Sequence, residues 1–128
     1  YSKIISTDEA PQAIGPYSQA VKSGGLLFLS GQIPLNKVGE MTEGDIEAQT
    51  RQVFKNIEVI LAAENLGLHH IIKVNIYLID INNFDAVNQV MSSLFSPPYP
   101  ARALVQVSAL PKASEVEVEV VAEAIESN

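Results

Sequence analysis

Arg102 and Glu117 are the two residues of this sequence whose chemistry suits a small anionic substrate and a proton transfer. Arg102 directly follows the run Pro97-Pro98-Tyr99-Pro100-Ala101 and opens a predicted strand. Proline fixes φ, removes a backbone donor and restricts the residue before it, so the run is a stiff loop. An arginine carried by such a loop can offer its planar fork to a carboxylate, a contact worth roughly 1.5–3 kcal/mol. If the strand alternates regularly, Arg102 shares a face with Leu104 and Gln106. The plainer alternative is a surface arginine paired with one of the chain's many acids, and spacing alone leaves both open. Glu117 lies on the polar side of a second alternating stretch, Glu115–Ile125. Taken alone, that pattern describes a solvated strand face shared with Glu115 and Glu119. Proton transfer at Glu117 would require partial burial, which raises a carboxyl's pKa.

Other side chains could complete a site. Asn88 borders an apolar helical stripe, where a buried amide must find partners, and the chain around the proline loop could supply them. Tyr17 follows Ile14-Gly15-Pro16, a turn able to fix its ring, and ordinary packing at a strand start explains it equally well. Ser30 precedes Gly31-Gln32 at a strand end without the G-x-S-x-G context of a nucleophile elbow, which argues against a hydrolase triad. His69 and His70 are adjacent, a spacing that rarely aims two rings at one metal from a regular element, and a turn or surface role is expected. Gly24, Gly25 and Gly31 do not form a phosphate loop.

Composition narrows the function classes. The chain has no cysteine, which removes disulfides, thiolate nucleophiles and cysteine-based zinc sites. Fifteen acidic and 8 basic residues give a net charge of −7, and no window gathers three basic residues. Nucleic-acid binding needs clustered cations to neutralise phosphates, so a general RNA or DNA surface is not expected. No apolar run approaches a bilayer span, and Tyr1–Ser6 lacks the apolar stretch of a secretory signal. A cytoplasmic protein is expected, with an organelle matrix such as the mitochondrial one, and a segment removed before Tyr1, as open alternatives.

The elements that must position these residues read as short strands and two helices. With 128 residues, 47% of them apolar, a single domain over residues 1–128 is expected. Strand signals cover Lys3–Ser6, Tyr17–Lys22 and Leu26–Ser30, with a turn at Ser23-Gly24-Gly25. Thr42-Glu43-Gly44-Asp45 resembles a capping box before a helix bearing Ile46, Val53, Ile57, Ile60 and Leu61, with Gly67 as its C-terminal cap. Ile71–Ile79 reads as a strand apolar on much of both faces, with Ile72, Val74, Ile76 and Leu78 on one side. A helix from Asn82 or Asn83 to Phe95 carries Phe84, Val87, Met91 and Leu94. Strands at Ala103–Val107 and Glu115–Ile125 follow. The order predicts an α+β domain whose two helices cover one sheet face. The two-sided strand at Ile71–Ile79 raises contact with another subunit as one use of the other face.

Together these segments resemble the RidA-type (YjgF-like) family. The motifs are Ala13-Ile14-Gly15-Pro16-Tyr17-Ser18-Gln19-Ala20, then Leu29-Ser30-Gly31-Gln32-Ile33-Pro34, and Asp80-Ile81-Asn82-Asn83-Phe84 with Val87-Asn88. Pro100-Ala101-Arg102-Ala103-Leu104-Val105-Gln106-Val107 follows, with Leu110-Pro111 and Val116-Glu117-Val118-Glu119. The resemblance spans essentially the whole chain. It implies a chorismate-mutase-like mixed sheet with two helices on one face, and a homotrimer enclosing a central barrel with sites between subunits. It implies hydrolysis of 2-aminoacrylate and 2-iminobutyrate to 2-oxo acids and ammonia, with no metal or organic cofactor. By that likeness Arg102 binds the substrate carboxylate and Glu117 positions or activates water. Tyr17, Ser30 and Asn88 line the site, with backbone groups near Gly31 and Leu104 assisting. Many relatives carry cysteine where this chain has Leu104. The family is also associated with endoribonuclease activity and translation inhibition, and a non-catalytic carboxylate-binding trimer is a third reading.

Overall fold

The computed structural model describes residues 2–124. Six strands, β1 (Ser2–Ile5), β2 (Ala20–Ser23), β3 (Leu26–Leu29), β4 (Ile71–Leu78), β5 (Ala101–Gln106) and β6 (Val116–Glu123), form one mixed sheet in the order β1-β2-β3-β6-β4-β5. Only the β4–β5 pair is parallel, and helix α2 (Phe84–Leu94) makes that crossover. Helix α1 (Ile46–Ala62) joins β3 to β4. The α+β class with two helices against one sheet is as expected.

Local chemistry explains most boundaries. Gly24 and Gly25 both take positive φ (60° and 88°), the conformation a tight two-residue hairpin between β2 and β3 requires. Asp45 caps α1, its carboxylate accepting from the Ala48 N–H at 2.9 Å. The expected capping box at Thr42 is not what starts the helix, because the Thr42 N–H is taken by the Pro34 carbonyl at 2.8 Å. Gly67 is likewise not the C-terminal cap. Asn65 provides the left-handed residue after α1 (φ 59°), and Gly67 instead opens a 3-10 turn at Leu68–His70. His70 Nδ1 accepts from the Gly67 N–H at 3.0 Å, which gives that ring its turn role.

The core lies between the helices and one sheet face. Val53, Phe54, Ile57, Ile60 and Leu61 of α1 and Val87, Val90 and Met91 of α2 are buried against Leu27, Val74, Ile76, Leu78, Val116, Val118 and Val120. Fully burying one such side chain is worth about 1.5–3 kcal/mol, so this face holds the fold together. A register shift between Ile71 and Lys73 corrects the reading of β4. Ile71 rather than Ile72 joins Val74, Ile76 and Leu78 inside, and Ile72 is 42% exposed. The other face of β4 carries Lys73, Asn75 and Tyr77, so it is polar and half-buried rather than apolar.

Two further expectations shift. Tyr17 precedes its strand, which begins at Ala20, and β5 begins at Ala101 instead of Ala103, drawing Arg102 into the sheet. Ile125, expected at the end of β6, lies outside the described residues. The open sheet face presents a cross-strand row of Ile4, Val21, Phe28 and Val121, with Ile4 59% and Phe28 45% exposed. Among the described residues no helix is long and apolar enough to cross a membrane.

The segment after β3 is tied down by one buried amide. Asn56 of α1 donates to the Leu35 carbonyl at 2.8 Å and the Ile33 carbonyl at 3.4 Å, and accepts from Gln52 Nε2 at 2.9 Å. Removing a partner from buried polar groups costs about 1–3 kcal/mol. Asn56→Ala should therefore lower the midpoint of urea unfolding by that much stability at an unchanged slope. An unchanged midpoint would mean that the loop is not anchored through Asn56.

Candidate functional site

Glu117 projects from the centre of the sheet into a cavity of about 430 Å³ on the open face, lined also by Tyr17, Ser30, Gly31, Pro111 and Glu119. The cavity exists because β3 and β6 separate here. Phe28 pairs with Val121 and Gln32 with Val118, so three residues, Leu29–Gly31, oppose two, Glu119 and Val120. Such a bulge re-aims backbone and side chains. The Gln32–Val118 bridge, with N–H···O distances of 2.8 and 3.0 Å, closes the irregularity. Gly31 leaves room for Glu117: a Cβ there would lie 2.9 Å from Glu117 Cδ and closer still to its carboxylate, and the glutamate would have to shift.

Apart from Glu119, the polar side chains beside Glu117 are neutral and held by hydrogen bonds. Ser30 Oγ donates to the Ser18 carbonyl at 2.6 Å, so its proton is committed and its oxygen is left as an acceptor. Tyr17 folds over its own turn, its N–H on the Gly15 carbonyl (2.8 Å) and its hydroxyl accepting from the Ile14 N–H (3.3 Å). Burial pushes the Glu117 carboxyl above its ordinary range, and the nearby Glu119 charge pushes it the same way. Glu119 lines the same cavity but is engaged by β4: Tyr77 donates to its Oε1 at 2.6 Å and Asn75 Nδ2 at 3.2 Å. Glu115, by contrast, is exposed and accepts from Gln49 Nε2 at 3.2 Å. The three glutamates that look alike in sequence thus occupy three different environments.

Arg102 builds a second half-site. Its Nη1 donates to Asn88 Oδ1 at 2.6 Å and lies 3.5 Å from Met91 Sδ, and its guanidinium carbon sits 5.5 Å from the centre of the Phe84 ring. No acid pairs with it among the described residues. A guanidinium has five donors, and holding one on a neutral amide orients the rest without neutralising the charge. Asn88 and Arg102 line a cavity of about 360 Å³ with Met91, Ser92, Tyr99 and Pro100. Phe95 packs edge-on against Phe54 of α1, centroids 5.6 Å apart, which fixes where the proline loop leaves α2. Leu104 is the next residue on the Arg102 face and packs against the core.

Register decides how the halves relate. Arg102 lies opposite the buried Val74, whereas Glu117 lies opposite Tyr77 on the other face. Tyr17, Ser30, Gly31 and Glu117 therefore converge, and Asn88 and Arg102 converge beside Leu104, but the sheet separates the two sets within one chain. Glu119, Tyr77 and Asn75 were not singled out by motif reading. The i, i+2 spacing of Glu117 and Glu119 was visible, but the cross-strand register that brings β4 to them was not.

Tyr77 offers a direct check on this geometry. Its hydrogen bond to Glu119, then burial and the two glutamate charges, push the phenol up to about 12. In an absorbance titration one tyrosine should ionise last, near pH 12, and Tyr77→Phe should remove that step. The folded-state value lies above the ordinary phenol value. The associated stability is thus full below about pH 10 and falls as pH rises towards 12. A late step that persists in Tyr77→Phe would place the buried hydrogen bond elsewhere.

Comparison with known proteins agrees with this architecture. The family described as Endoribonuclease L-PSP matches residues 7–124. A RutC family protein of Pyrococcus horikoshii is 49% identical, covering 94% of this chain and 96% of that one. A 2-iminobutanoate/2-iminopropanoate deaminase of Dermatophagoides farinae is 45% identical over 91% of this chain and 92% of its own. The crystal structure of E. coli TdcF with bound serine superposes with a TM-score of 0.89 at 40% identity, covering 94% of this chain and 98% of that one. The chain belongs to the RidA/YjgF (L-PSP) family.

Proposed function

We propose that this protein hydrolyses 2-iminobutyrate, and 2-aminoacrylate once a proton on C3 has made it the imine, to 2-oxo acids and ammonia, as a homotrimer whose site lies between subunits. One observation carries the reading: a fixed, acid-free arginine fork and a desolvated glutamate stand on opposite faces of one sheet. Each is half of what an α-imino acid needs. Packing open faces together around a central barrel would cover the Ile4–Phe28 row and set the Arg102 half of one chain against the Glu117 half of the next. The named deaminase relative and the serine-bound TdcF structure support a small carboxylate-bearing substrate.

The chemistry asks little of the protein. An imine carbon is already electrophilic, so rate comes from holding it and moving protons. Arg102, oriented by Asn88, binds the carboxylate. Glu117, as carboxylate, takes a proton from water as the water oxygen bonds to C2. It returns that proton to the nitrogen of the tetrahedral adduct, then takes the adduct's hydroxyl proton as the C–N bond breaks, the C2 carbonyl forms and ammonia leaves. Ser30 Oγ, with its proton on the Ser18 carbonyl, can accept from substrate N–H. The acid pair in the cavity would repel a phosphodiester, which weighs against the endoribonuclease reading.

Light scattering should give about three times the 13.8 kDa chain mass. A monomer across the micromolar range would remove the shared cleft. Coupled to a threonine dehydratase, the protein should speed 2-oxobutyrate release. Arg102→Ala should cut kcat/KM by about 10- to 100-fold or more with fold and trimer intact. Glu117→Gln should lose at least about 100-fold and Glu115→Gln little, given the 10²–10⁴-fold worth of acid–base help. Equal small losses would return Glu117 to a solvated face, and carboxylate binding without acceleration would make the protein a binder.

A further inference from the structure

The proposed mechanism uses one member of a carboxylate pair and leaves the other unexplained. Glu117 and Glu119 are two residues apart on β6, on the same face, and line the same cavity. Their surroundings differ. Glu119 accepts two hydrogen bonds from β4, from the Tyr77 hydroxyl and the Asn75 amide. Among the described residues nothing donates to Glu117, whose carboxylate fills the space cleared by Gly31. Two nearby carboxylates whose environments differ this way divide their roles, one keeping the charge and the other handling the proton.

We propose that Glu119 is a positioning residue, pinned to β4 by Tyr77 and Asn75, whose fixed charge makes Glu117 the member of the pair that takes up and releases the proton. Its catalytic consequence rests on the deaminase reading, whereas the division of the proton does not. The other groups around Glu117 do not offer a rival. β6 adds Glu123 farther along, and Glu115 is bonded by Gln49 of α1. β4 adds Tyr77 directly opposite and Lys73 two residues beyond Asn75. β3 and β5 face this side with Leu26, Phe28, Ala101, Ala103 and Val105, which carry no charge. The turn at Pro111–Ala113 carries Lys112, and Tyr17 and Ser30 are neutral. In the proposed cleft a neighbour's Arg102 adds a charge common to every variant compared below.

The pinning has a structural logic. Tyr77 and Asn75 alternate on β4 opposite Glu117 and Glu119, so the Tyr77 hydroxyl reaches diagonally across the ladder to Glu119 rather than to its direct partner. That diagonal bond draws the Glu119 carboxylate along the strand and keeps Glu117 without a donor. The phenol is held protonated far above neutrality, so the donor persists across any working pH.

The test is a carbon-13 titration of the glutamate carboxyls in the intact protein without substrate. Glu117→Gln identifies the Glu117 resonance. Glu119→Gln, which can still accept from Tyr77, should move the Glu117 midpoint to lower pH, and the acid limb of the deaminase pH–rate profile should move the same way. Tyr77→Phe, which keeps the ring, should also move the Glu117 midpoint while leaving saturation kinetics at the profile's plateau intact. A Glu117 midpoint unchanged in both variants would overturn the proposal. Should Glu119→Gln fail to fold, Tyr77→Phe alone decides. A shifted midpoint in a protein that hydrolyses no imine would uphold the proton assignment and sink the deaminase reading.

Discussion

Strand β6 lies between β3 and β4, and its strict alternation governs both faces of the molecule. Val116, Val118, Val120 and Ala122 are the floor on which α1 rests, and each is essentially fully buried. Because side chains alternate with period two, the residues between them must appear on the other face. Glu117 and Glu119 are therefore placed by the same hydrophobic force that folds the chain. A slip of one residue would turn three carboxylates, Glu117, Glu119 and Glu123, into the core and four apolar side chains outside, which no local adjustment could offset.

The same constraint separates the functional groups. β5 pairs parallel to β4 with Arg102 beside Val74, on the helix side, while Glu117 stands beside Tyr77. Arg102 reaches the surface only because β5 is an edge strand and α2 ends before it, so the guanidinium emerges past Asn88, Met91 and Phe84. Moving Glu117 to the helix face would require burying its charge under the helices.

Much of this was legible in the sequence. The alternation of β6, the stripe on α1 and the stiff loop before Arg102 are local patterns, and each led to the right element. Boundaries failed where competition between local and tertiary bonds decided them. Thr42 lost its capping role to the Pro34 carbonyl, and Ile72 left the core because the β4–β6 ladder shifts register beside it. Arg102, Asn88, Glu117 and Ser30 were singled out from type and motif, yet their separation onto two faces of the sheet was not, since period-two reasoning cannot say which strands become neighbours. Tyr77 and Asn75 escaped notice for the same reason. They read as ordinary strand residues until pairing puts them against Glu119.

Charge gives the two half-sites a further relation. Arg102 is held by an amide, a thioether and a ring, none of which cancels its charge. Glu117 and Glu119 face each other and otherwise neutral groups, and no cation pairs with them among the described residues. Each half is therefore electrostatically unbalanced on its own, an arrangement that adds little to the stability of a single chain. Under the proposed assembly the imbalance becomes useful. A zwitterionic imine, carboxylate at one end and iminium at the other, matches an arginine on one subunit and an acid pair on the next. A neutral isostere would leave one or both charges unmatched in a shielded cleft, so selection would come from unpaired charge more than from shape.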